Sequence, residues 1–166
     1  MNYKIIDNIE EYIDDIIALD DNFYDQEYLW SNDYQWKVYE RNHDSFIAVS
    51  LDDKIVGYIN YLSITKELYE KMNNSDVITD EFELNDIIPF GNEIYLTVNS
   101  IVILKEHQDG EVIKIINNEF QKKINSLPIK GINGIAISPD GNKWFKSMGF
   151  NHAKSLADGN DLYIKE

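Results

Sequence analysis

Hydrophobic and polar positions along the chain alternate between two periods. Ile9, Tyr12, Ile13, Ile16 and Ile17 fall at i, i+3, i+4, i+7 and i+8, the apolar stripe of an amphipathic helix. Asp7 precedes the stripe with Glu10 three residues on, which predicts a capped start. A more aromatic stretch, Tyr34, Trp36, Val38 and Tyr39, predicts a second helix completing a helical layer. The period then changes to that of strands: Ser45–Ser50 and Ile55–Leu62 are β-branched and aromatic runs separated by the turn composition Leu51-Asp52-Asp53-Lys54. They predict an antiparallel hairpin.

From 63 to 92 the pattern differs again. Lys66 to Met72 reads as helix, Asp76 to Asp86 is acidic, and Ile87-Ile88-Pro89 closes the segment, which predicts an insertion packed over one end of a sheet. Glu93 to Leu104 reads as one buried strand, interrupted only by Asn99 and Ser100. It runs into Lys105 to Gly110 and then a helical stripe of Val112, Ile115, Ile116 and Phe120. Leu127-Pro128 breaks that helix, Ile132 to Ser138 reads as a strand, and Ser138-Pro139 has the form of an N-cap followed by proline at the first helical position. Gly149 marks the end of this helix, and residues 150–164 predict a hairpin around Asp158-Gly159-Asn160. The order β, α, α, β, β, insertion, β, α, β, α, β, β gives a single α/β (α+β) domain over residues 1–166 with no internal repeat.

Composition narrows the classes. The 166 residues are 43% apolar and 13% aromatic, enough for a substantial core. There is no run of about 18 apolar residues and no signal-peptide succession at the N-terminus, so a soluble cytoplasmic protein is the default expectation. The absence of cysteine removes disulfides, thiolate chemistry and zinc–sulfur sites, and His43, His107 and His152 lack metal-ligand spacing. A net charge of −15 predicts repulsion of nucleic acid and anionic membranes and attraction of cations. The acidic excess concentrates in Asp76 to Asp86 and in Asp20 to Glu27, which are expected to draw a cationic acceptor or simply to keep the chain soluble.

The strand feeding a helix through a short turn with Gly110 presents helix-start N–H groups outward, where the dipole favours a phosphate. A pyrophosphate-bearing cofactor is the first hypothesis. At these residues the chain resembles the GNAT N-acetyltransferase superfamily, over most of its length. His107-Gln108-Asp109-Gly110-Glu111-Val112 stands where the family has Gln/Arg-x-x-Gly-x-Gly/Ala. Only Gly110 fits that pattern; His107 replaces the usual Gln or Arg, and Val112 replaces a small residue. Ile135 to Phe150, with Ser138, Gly141, Asn142, Trp144, Phe145 and Gly149, is similar to the family's strand and short helix bordering the thiol end of coenzyme A. The matching position of the family's proton-donating tyrosine is Phe145, which cannot donate a proton.

The resemblance implies a mixed, mostly antiparallel sheet flanked by helices and transfer of an acetyl group from acetyl-CoA to an amine of a small-molecule or peptide acceptor. It implies cofactor contacts from Ile101, Val102, Ile103, His107, Gln108, Asp109, Gly110, Glu111, Val112, Ile113, Ser138, Asn142 and Phe145, with no metal. The catalytic candidates are Glu93 as base, directly or through water, or Glu70, Asp86 or Tyr95 on the insertion side; a main-chain N–H in the region of Ser100, Ile101 and Val102 for the oxyanion; and water, Ser138, Asn142 or a tyrosine from elsewhere as proton donor. Asn99 and Ser100 are expected either at the point where the thioester lies or at a bulge. A monomer or homodimer is expected. Two other readings stay open: a GNAT-like binding or regulatory module with little activity, and an unrelated acidic interaction protein.

Overall fold

In a computed structural model of the protein, residues 1–23, 30–76 and 82–166 are described. The chain forms β1 (Lys4–Ile5), α1 (Ile13–Phe23), α2 (Asn32–Arg41), β2 (Phe46–Leu51), β3 (Lys54–Ile64), α3 (Lys66–Asn74), β4 (Ile94–Ile103), α4 (Glu111–Ser126), β5 (Ile129–Ala136), α5 (Pro139–Ser147), β6 (Asn151–Ser155) and β7 (Asp161–Lys165). The strands make one sheet in the order β1-β2-β3-β4-β5-β7-β6. Every pairing is antiparallel except β4 with β5.

The β2–β3 hairpin closes through Asp52 and Asp53, both at positive φ (52° and 61°). That is the paired left-handed geometry of a two-residue turn matched to strand twist, and it suits Asp. The first helix departs from the sequence expectation. A 3-10 turn over Ile9–Tyr12 precedes α1, its cap position is Asn8, and no side chain caps it, so the Asp7–Glu10 capping box does not form. Glu10 is taken up in the 3-10 turn, and the α-helix starts at Ile13 and continues to Phe23. Strand β5 begins at Ile129, three residues before the expected start, because Ile94 N–H bonds the Pro128 carbonyl and draws the chain into the sheet there.

The sheet has two covered faces. On one, Val112, Ile116, Phe120 and Ile124 of α4, with Trp144 and Phe145 of α5, pack on Ile59, Tyr61, Leu96, Val98 and Ile132. On the other, Ile16 of α1 meets Ala48, Tyr58 and Val102. There too Val38 of α2 and Tyr69 and Met72 of α3 meet Leu62, Ile64 and Ile87. The segment expected as an insertion over one end of the sheet thus supplies α3 to this second face.

Candidate functional site

Strand β4 changes neighbours half-way along. Its parallel pairing with β5 ends at Val98↔Gly134, after which β5 continues only against β7. On its other edge Asn60 faces Ser100 and Tyr61 faces Val98, so Asn99 is an extra residue in the ladder. Such a bulge bends the strand and flips the side-chain alternation: Leu96 and Val98 face α4 before it, Ile101 and Ile103 after it. The expected bulge is present, and it lies where the two strands part.

A cleft of about 760 Å³ opens at this parting, within the range of small-molecule sites. Its walls are Val98 to Ile101 of β4, Ile135 to Ser138 at and beyond the end of β5, the start of α5, His107, Gln108, Gly110 and Ile113. Phe23 and Ile137 stand exposed at its rim. Phe145 forms part of the floor: its ring lies over Gly134, where an added Cβ would sit 2.4 Å from Cζ, and it stacks on Tyr163 at 5.0 Å. Cζ, which would carry the hydroxyl of a tyrosine, is the ring atom closest to Gly134. Ser138 caps α5 by accepting the Gly141 N–H at 3.1 Å, which leaves its own O–H to donate.

At the other end of the cleft Gly110, at φ +106°, begins α4. The carboxylate of Asp109 takes the Glu111 N–H at 3.1 Å. Among the described residues, the N–H groups of Gly110, Val112 and Ile113 have no protein partner, as expected for a first helical turn. His107 Nδ1 is 2.8 Å from the Tyr3 hydroxyl, and Gln108 Nε2 donates to the Ile103 carbonyl at 2.8 Å.

No family model matches the sequence, and no curated protein matches it. Solved structures do match by shape. The loading GNATL domain of CurA from Lyngbya majuscula aligns over 100% of this chain and 98% of its own length, with TM-score 0.77 at 14% identity. An N-acetyltransferase from Staphylococcus aureus Mu50 aligns over 100% and 99%, with TM-score 0.67 at 13% identity. The PaiA N-acetyltransferase from Thermoplasma acidophilum, solved with coenzyme A, aligns over 100% and 99%, with TM-score 0.61 at 13% identity. The fold is that of the GNAT N-acetyltransferases.

On this GNAT fold, nine of the expected site residues line the cleft: Ser100, Ile101, Ile103, His107, Gln108, Gly110, Ile113, Ser138 and Phe145. The others do not. Val102 is buried on the opposite face with Ile16 and Tyr58. Val112 turns inward, its Cγ1 2.9 Å from where a Gly57 Cβ would be, so it leaves the helix start unobstructed and a glycine on β3 makes its room. Asp109 and Glu111 flank the cleft without lining it, and Asn142 accepts the Tyr163 hydroxyl at 2.6 Å. The expected bases are elsewhere. Glu93 precedes β4, about 16 Å along the strand from Val98. Tyr95 packs on Tyr69 at 4.9 Å, Glu70 sits exposed 3.8 Å from Lys66, and Asp86 accepts the Thr65 hydroxyl. Of the two acidic stretches expected to draw cations, residues 24–29 and 77–81 lie outside the described residues.

Sequence reasoning passed over Asp20 as an individual group. Burial, and secondarily Asp21, push its carboxyl up from 3.8 to about 7, and Oδ1 is buried without a hydrogen-bond partner among the described residues. A folded-state value above the unfolded one means that the native protein holds a proton the unfolded chain has lost. Stability contributed this way is present below about pH 4 and lost as pH rises towards 7. Asp20→Asn is therefore expected to raise stability by about 1–3 kcal/mol at pH 8 and by little at pH 4. Thermal unfolding at the two pH values measures this; an equal shift at both would show that the carboxyl is not held protonated.

Proposed function

We propose that this protein is an acetyl-CoA-dependent N-acetyltransferase acting on an amine by direct attack. The observation that carries the reading is the cleft at the β4–β5 parting, with unpaired helix-start amides at one end and the capped start of α5 at the other. A pyrophosphate would be held by the N–H groups of Gly110, Val112 and Ile113, assisted by the side chains of His107 and Gln108. The pantetheine arm would run along Ile101 and Ile103 towards Ser138. Acetyl-CoA supplies an activated thioester; the protein holds the carbonyl beside a main-chain N–H of the bulged segment, where charge develops on oxygen. The Ser138 hydroxyl, whose oxygen accepts the Gly141 N–H and leaves the O–H to donate, would supply a proton to the departing sulfur. The acceptor is an amine of a small molecule or peptide.

One feature of the site opposes the cofactor. Glu106, Asp109 and Glu111 surround the helix start, against Lys105 and Lys114 in the same stretch. This acidity favours the second reading, a GNAT-fold binding module, and acetyl-CoA titration separates the two. Calorimetry is expected to give micromolar affinity, near −8 kcal/mol. Asp109→Asn keeps the oxygen that accepts the Glu111 N–H but removes the charge. It is expected to tighten acetyl-CoA binding about 3- to 10-fold, an effect that shrinks as salt screens the repulsion. No heat at millimolar acetyl-CoA would leave only the binding-module reading.

A further inference from the structure

The polarity of one side-chain relay is fixed from its buried end. The Ser45 carbonyl, which already accepts the Tyr61 N–H at 2.9 Å, can only accept. Asn60 donates to it through Nδ2 at 3.0 Å, so the Asn60 oxygen must point the other way. There it accepts Nδ2 of Asn99 at 2.9 Å. Asn99 is exposed, lines the cleft and is the extra residue of the bulge. One N–H of its NH₂ is given to Asn60; its Oδ1, which can only accept, has no partner among the described residues.

We propose that Asn99 Oδ1 is the acceptor that holds the substrate amine for attack, with Asn60 as the positioning residue that keeps that oxygen turned towards the cleft. The inference rests on the acetyltransferase reading. Asn60 shares its sheet face with Tyr58 and Leu62, the face covered by α1, α2 and α3, whereas the amides of α4 belong to the other. An amine therefore comes in on the side of Phe23, opposite the end that would hold the pyrophosphate. Asn99 accepts one N–H of the neutral amine and so aims the nitrogen lone pair at the thioester carbonyl. The C–N bond forms, the C–S bond breaks with its electron pair going to sulfur, and the proton shed by nitrogen ends on the thiol. Asn99 itself exchanges no proton.

The acceptor role predicts an ordering that a donor role reverses. Asn99→Ala, at an exposed position, is expected to lower kcat up to about 100-fold with the acetyl-CoA dissociation constant unchanged. Asn99→Asp keeps an accepting oxygen but gives up the N–H that bonds Asn60 Oδ1, so it is expected to lose about five- to tenfold in kcat, clearly less than Asn99→Ala. Asn60→Ser, checked for folding by thermal melt, removes the same bond and is expected to resemble Asn99→Asp and to raise KM for the amine. Acetylation of 2-phenylethylamine, spermidine and a peptide with a free N-terminus is followed by thiol release, and acetyl-CoA binding by calorimetry on each variant. Asn99→Asp as inactive as Asn99→Ala overturns the acceptor role, as does Asn99→Ala with kcat within twofold of wild type. Wild type that binds no acetyl-CoA overturns the parent reading and this one with it; wild type that binds it but turns over none of the amines overturns the proposed transfer.

Discussion

Phe145→Ala is expected to lower the unfolding free energy by about 3–5 kcal/mol, the range for deleting a buried aromatic ring, and to weaken acetyl-CoA binding in the same variant. The ring is 4% exposed and closely caged. It stacks face to face on Tyr163 at 5.0 Å, meets Phe150 and Trp144 edge-on at 5.1 Å each, and rests on Gly134. Neighbours tied into β7 and into the end of α5 relax little, so most of the ring's volume would remain as a void. That void would open through the floor of the cleft, which couples the stability loss to the site. Urea unfolding gives the first quantity and calorimetry with acetyl-CoA the second. A loss under 1 kcal/mol would mean that the cage collapses and that Phe145 is not the floor.

How much of this was legible in the sequence depends on the range over which each determinant acts. The hairpin turn, the central strand, the stripe of α4 and the Ser138-Pro139 cap are local, and each was readable from adjacent residues. The start of α1 was misread because apolar spacing does not distinguish a 3-10 turn at Ile9–Tyr12 from the first turn of an α-helix. The site was half legible. Asn99 and Ser100 announced an interruption, but the relay that orients Asn99 comes from Asn60 and Ser45, 39 and 54 positions away, and nothing local ties them together. Val112 departs from the family's small residue at this position, but its bulk turns inward onto the sheet, where Gly57 of β3 makes room for it. Glu93 and Tyr95 do not line the cleft for a related reason: the strand is legible, but not which end of it parts from β5.

Gly134→Ala is expected to cost about 2–3 kcal/mol, the upper part of the range for overpacking a filled core, although it adds one methyl group. A Cβ there would lie 2.4 and 2.6 Å from Phe145 Cζ and Cε1 and 3.3 Å from Val98 Cβ. Gly134 is central to β5, paired with Val98 on one side and Tyr163 on the other, so its backbone cannot retreat without breaking ladder bonds. The ring must move instead, and the stacked Tyr163 restricts that movement largely to the cleft, where it would raise KM for acetyl-CoA. The strain thus belongs to the pair of residues, and the double variant Gly134→Ala/Phe145→Leu is expected to be more stable than the sum of its parts by about 0.5–3 kcal/mol. Gly91→Ala supplies the control, since among the described residues nothing lies within 4 Å of its added Cβ and its φ is not positive. It should be neutral or stabilise by about 0.4–1 kcal/mol through the unfolded chain. Equal effects at the two glycines would show that the cost at Gly134 comes from backbone freedom and not from the seated ring, and the floor of the cleft would then need another explanation.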